Sequence, residues 1–109
     1  MKQLYNGFNN QPIPEDWPYT QVAQVWHPIV ADLINDLIQL GWDGGITQIK
    51  EKFGALRFYI PQGSDEMFDR IDEAEHATTK ICANCGKPAT TTTKGWITYV
   101  CDEHAAQPE

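Results

Sequence analysis

Four residues near the C-terminus constrain this chain more than any others. Cys82, Cys85, Cys101 and His104 read C-x2-C, fifteen residues, then C-x2-H. Two ligand pairs at that spacing, each on a tight turn, can close a tetrahedron around one ion, the pattern of a structural zinc site. The set uses all three cysteines of the sequence. Soft thiolates with one imidazole suit Zn2+, and four protein donors leave no open position, so one structural Zn2+ is expected. Its binding would supply folding free energy to a segment with little core of its own.

The residues around the ligands set expectations for that segment. Cys82 to Gly86 reads as a knuckle whose tight return needs Gly86. Thr90–Thr93 and Trp96–Val100 read as strands joined at Lys94-Gly95, and Cys101 to His104 as the first turn of a short helix, where residues i and i+3 share a face. Knuckle, hairpin and helix start resemble a treble clef, with a zinc ribbon as the close alternative. Trp96, Ile97, Tyr99 and Val100 are expected to cover the site.

The rest of the chain supplies the main core. The sequence has 109 residues, enough for one compact domain, and 41% hydrophobic residues, which marks it as globular. Residues 1–20 hold Pro12, Pro14 and Pro18 and read as an irregular arm, anchored over the core by Tyr5, Phe8, Ile13, Trp17 and Tyr19. Residues 21–40 carry a helical period in Val22, Trp26, Ile29, Leu33, Leu37 and Leu40. Pro28 suits the first helical position and Gly41 the residue past the end, so the helix is expected to start near His27, after a short helical turn.

Residues 46–60 alternate as a hairpin does. With Phe53-Gly54 as a two-residue turn, Lys50 faces Arg57 and Gln48 faces Tyr59, while Ile49 pairs with Phe58, Glu51 with Leu56 and Thr47 with Ile60. The dipeptide is not the usual Asn-Gly of such turns. Ser64 then caps a second helix over 65–79, with Met67, Phe68, Ile71, Ala74 and Thr78 as its buried stripe. The fold class expected is α+β: two helices packed on a β-hairpin, residues 1–79, with a treble-clef-like zinc lobe over residues 80–109.

Charge narrows the partners. The formal net charge is −7, and three thiolates with one Zn2+ make it −8. Twelve acids and five bases fall in residues 1–79. Such a chain repels nucleic acid as a whole. No apolar run approaches the roughly 20 residues that span a membrane. Met1-Lys2 leads into a polar stretch, so no secretory signal is expected and the reading is cytoplasmic.

Two surfaces stand out as partner or anion sites. Lys50 opposite Arg57, with Tyr59, places like charges across a sheet, which an anion must compensate. That anion is either an outside ligand or the chain's own acidic helix, through Asp69, Asp72 or Glu73. The same carboxylates can also dock a basic partner. No nucleophile elbow, phosphate loop or H-E-x-x-H occurs, so no enzyme is expected.

The run Ile49-Lys-Glu-Lys-Phe-Gly-Ala-Leu-Arg-Phe-Tyr59, the acidic helix and the C-x2-C…C-x2-H tail resemble a group of small uncharacterised proteins of bacteria and their phages. The likeness covers about residues 26–105. It implies a phage or mobile-element setting, with host cytoplasm as the location. There the expected function is a zinc-stabilised protein-binding module, whose effect in that setting would be inhibition or redirection of a larger host protein. The alternative is a nucleic-acid-binding zinc protein using Lys80, Lys87 and Lys94.

Overall fold

The fold follows from how the hairpin's open edge is closed. In a computed structural model of the chain, which describes residues 3–20, 22–92 and 97–105, strands β3 (Gln48–Lys52) and β4 (Ala55–Tyr59) pair antiparallel. Their register is Ile49 with Phe58, Lys50 with Arg57 and Glu51 with Leu56. This is the register that alternation alone predicts. Ile49, Leu56 and Phe58 are buried and Gln48, Lys52 and Tyr59 are exposed. Thr47 and Ile60 fall outside the ladder.

A two-stranded sheet leaves the outer edge of β4 with unpaired amides, which cost free energy if buried. The helix Asp65–Thr78 answers them. The Leu56 amide donates to Thr78 Oγ1 at 3.0 Å, and the Phe58 amide donates to Glu75 Oε2 at 3.0 Å. Thr78 is fully buried, and its own hydroxyl donates to the Glu75 carbonyl at 2.6 Å. Positions i and i+3 of one helix therefore cap alternate amides of one strand. The helix itself starts at Ser64, whose Oγ accepts from the Met67 amide.

The first two helices precede the hairpin. Short helix α1 (Trp17–Thr20) and a 3-10 turn at Gln24–Trp26 lead into α2 (His27–Gln39), with Pro28 in its first turn. Asp65–Thr78 is α3. Val30, Leu33, Ile34 and Leu37 of α2 meet Ile49, Leu56 and Phe58 of the hairpin and Met67, Ile71 and Ala74 of α3 in one core. Arg70 of α3 donates to Asp36 of α2 at 2.7 Å.

The arm is more ordered than its prolines suggest. Strand β1 (Tyr5–Asn6) pairs parallel with β2 (Gly45–Ile46). Tyr5 donates to Asp43 Oδ2 at 2.7 Å, and Asp43 Oδ1 accepts from the Gly45 amide. That pairing takes Ile46 out of the hairpin. Ile13, Trp17 and Tyr19 do anchor the arm on the core. Phe8 does not: it sits in a turn, 81% exposed.

One assignment in α3 is also corrected. Phe68 is 43% exposed. The buried stripe is Met67, Ile71, Ala74 and Thr78, and a neighbour one residue on lies about 100° round the helix. The overall architecture is α+β, and among the described residues no helix is long and apolar enough to cross a membrane.

Replacing Thr78 by Val keeps the shape but orphans the buried Leu56 amide. The expected cost is about 1–3 kcal/mol in a denaturant unfolding experiment. An unchanged midpoint would mean that the edge bond is worth nothing.

Candidate metal centre

The C-terminal segment brings its four donors together by a chain of backbone bonds. Ile81 and Pro88 form an antiparallel bridge, the Cys82 amide donates to Lys87 O at 2.7 Å, and the Gly86 amide donates to Cys82 O at 2.9 Å. This is the tight return expected at Gly86, which has φ +79°. Strands β5 (Thr91–Thr92) and β6 (Tyr99–Val100) pair antiparallel. Ala83 donates to Tyr99 O at 2.9 Å and so lays the knuckle on β6. Helix α4 (Asp102–Ala105) begins one residue after Cys101. The Thr90 hydroxyl donates to Asp102 and ties that start to the strand.

The result is a compact donor cluster. The ligand atoms of Cys82, Cys85, Cys101 and His104 all lie within 4.8 Å of one another. Cys85 Sγ is 3.6 Å from Cys101 Sγ, and His104 Nδ1 is 3.3 Å from the sulfurs of both Cys82 and Cys101. Donors sharing one tetrahedral ion with bonds of about 2.3 Å to sulfur and about 2.0–2.1 Å to nitrogen sit about 3.8 and about 3.5 Å apart. Those three separations match such an ion to within a few tenths of an ångström, and the remaining donor pairs, within 4.8 Å, need to close by about 1 Å at most. Cys82 and Cys101 are buried together with Val100, whereas Cys85 is exposed. Of the expected cover, Val100 provides the buried part and Tyr99 is half-buried. Ile97 instead turns 41% of its surface outward, and Trp96 lies outside the described residues.

The electrostatics favour a cation. Burial pushes the Cys82 thiol up, but the backbone amides of Cys101, Asn84 and Cys85 outweigh it and bring the thiol down to about 6. Cys101 is also lowered, first by the His104 amide, while His104 is raised by its contact with Cys101. Without metal, the cluster therefore shares protons between thiolates and imidazole. One metal cation can replace them.

The partner candidates divide. Lys50, Arg57 and Tyr59 share the outward face of the hairpin, as expected. Arg57 lies 3.7 Å from Glu75 of α3. The acidic helix thus answers Arg57 of the like-charge pair, through Glu75 rather than Asp69, Asp72 or Glu73, and leaves Lys50 without an ion pair among the described residues. Glu75 is one helical step from the buried stripe, whereas the other three face solvent. Asp72 does line a groove of about 400 Å³ with Phe53, Ala55, Arg57, His76 and Tyr99.

Phe53 is the residue that the alternation pattern did not single out. It has φ +55° and Gly54 has φ +81°, the left-handed pair of a type I′ turn. The signal was present in the sequence as Phe-Gly at a turn that favours Asn-Gly. Gly54 is required twice over, because a Cβ there would meet Ile97 O at 2.9 Å and the Tyr99 ring at 3.1 Å. The hairpin tip is thereby seated on the metal-lobe strand.

No family model, curated protein or solved structure matches this chain.

Two outcomes test the centre. Cys85→Ser should lose the metal and unfold residues 80–109 while the helix–hairpin core is partly retained, read by native mass spectrometry and amide spectra. One retained ion per chain would refute the ligand set. Metal binding must also displace protons, so Zn2+ affinity measured by chelator competition should fall at least about tenfold per pH unit below pH 7. A flat profile would exclude thiolate and imidazole donors.

Proposed function

We propose that this chain is a protein-binding module in which one structural Zn2+ staples a treble-clef-like lobe against the hairpin. The order knuckle, β5–β6 pair and α4 start supports the treble-clef description. The donor set of three sulfurs and one nitrogen supports zinc, and its closure supports a structural role.

The observation that carries the binding reading is Phe53. An L-residue in the left-handed region costs about 1–2 kcal/mol. The ring is 63% exposed, so burial does not offset that cost in the free chain. The Lys52 ammonium lies 5.6 Å from the ring centroid, a contact worth only about 0.5–1 kcal/mol at an exposed site. Strained exposed residues of this kind cluster at functional sites. A partner that buries the ring would recover about 1.5–3 kcal/mol. In the setting of the proteins that the hairpin run resembles, such binding would inhibit or redirect a larger host protein.

One observation favours nucleic acid instead. Lys50, Lys52, Phe53 and Tyr59 combine cations and rings on one hairpin face, the chemistry of single-strand binding. The carboxylates of Asp72 and Glu75 beside that face weigh against it.

The test is a tagged pull-down from host lysate with and without nuclease, using the native chain and Phe53→Asn. A stoichiometric protein that survives nuclease and is lost with the variant is expected. Nuclease-sensitive recovery of many nucleic-acid-associated proteins would favour the second reading.

A further inference from the structure

We infer that the partner presents a short acidic segment with one apolar side chain, which covers Phe53 and sets its carboxylates against Lys50 and Lys52. This rests on the protein-binding reading and gives the partner its chemistry.

The charges carry the first half of the argument. Among the described cations, Arg57 is answered by Glu75, Arg70 by Asp36 and Lys87 by Glu103. Lys50, Lys52 and Lys80 have no ion pair among the described residues, and only the first two lie together beside the turn. They alternate on β3, so both rise from the outward face, beside the turn that holds Phe53. On a chain of net charge −7, this is a local basic site that the fold leaves unneutralised. It complements carboxylates.

The apolar half comes from two separate parts of the chain. Phe53 belongs to the hairpin, and Ile97, 41% exposed, belongs to the segment entering β6. Gly54 lies against the Ile97 carbonyl and the Tyr99 ring. The turn that holds Phe53 is therefore set against the segment that holds Ile97 by backbone contact at Gly54. A few buried anchors carry most of the energy of an interface, and complementary charge around them selects the partner.

The length of the occupant is set by what lies beside it. Asp72 and Glu75 line the same groove as Phe53 and Arg57. A polyanion with a charge at every repeat would run over those carboxylates. A short acidic segment can meet two lysines and stop.

The experiment uses the full-length zinc-loaded chain and three fluorescein-labelled probes. These are an eight-residue Asp/Glu peptide with a central Phe, the same peptide with Ser for Phe, and a twelve-residue oligothymidylate. Amide shifts of the isotopically labelled chain locate the contact. The Phe peptide should bind saturably, shift Lys50–Ala55 and Ile97–Tyr99, and bind at least about tenfold more tightly than the Ser peptide. Phe53→Asn suits the left-handed position and so keeps the fold. It should lose at least about tenfold in affinity, as should Lys50→Glu with Lys52→Glu.

Three results overturn the inference: no saturable shift at these residues, affinity unchanged by the charge reversals, or tighter binding of the oligothymidylate. Self-association of the native chain that the charge reversals abolish would also overturn it, because a second copy's α3 would then be the occupant. If the peptide fails while a nuclease-resistant partner is still captured through Phe53, the acidic chemistry is wrong and protein binding stands. If capture is independent of Phe53 as well, the binding reading at this site falls too.

Discussion

The contact between the hairpin tip and the metal lobe is the constraint on which the rest of this structure depends. Gly54 approaches Ile97 and Tyr99 so closely that no side chain fits there. Among the described residues, the lobe's own buried cluster is Cys82, Val100 and Cys101, two of them donors of the candidate metal centre. A core that small cannot hold a lobe in place. On the proposed reading a metal ion at the donor cluster supplies the missing cohesion, and the tip then transmits it to the hairpin. On the opposite side, α3 closes the β4 edge through Glu75 and Thr78. The hairpin is thus held from two directions, by a helix along its edge and by the lobe at its turn.

This arrangement gives the outward hairpin face its character. One strand edge is spent on α3 and one face on the core. What remains exposed is the row bearing Lys50, Lys52, Phe53 and Tyr59. Arg57 belongs to the same row but is drawn to Glu75. The acidic helix therefore does two separate things. Glu75 works inside the fold, and Asp69, Asp72 and Glu73 are left to the surface. Charge alone does not distinguish these roles, because position relative to the buried stripe decides them.

Much of the fold was legible because periodicity reports burial directly. The hairpin register followed from alternation, since a slip of one residue would turn Ile49, Leu56 and Phe58 to solvent. The start of α2 followed from Pro28, the cap of α3 from Ser64, and the metal ligands from their spacing. The missed features are those in which a polar residue serves the interior or an aromatic one serves the exterior. Glu75 looks like a solvent-facing helix residue until β4 is placed beside it, and Thr78, legible as part of the buried stripe, gives no sign of its bond to the Leu56 amide. Phe68 looks like core until the stripe is fixed at Met67 and Ile71. The β1–β2 pair is two residues long and leaves no period to detect. The Phe-Gly turn carried a local conflict between residue and conformation, and such conflicts point to function more often than to fold.

The account rests on a closed centre of three sulfurs and one imidazole nitrogen. X-ray absorption at the zinc edge of the purified full-length protein tests this most directly. The expected result is three sulfurs at about 2.3 Å, one nitrogen at about 2.0–2.1 Å and no oxygen ligand. A water or carboxylate oxygen in the first coordination shell, or fewer than three sulfurs, would contradict a closed structural centre.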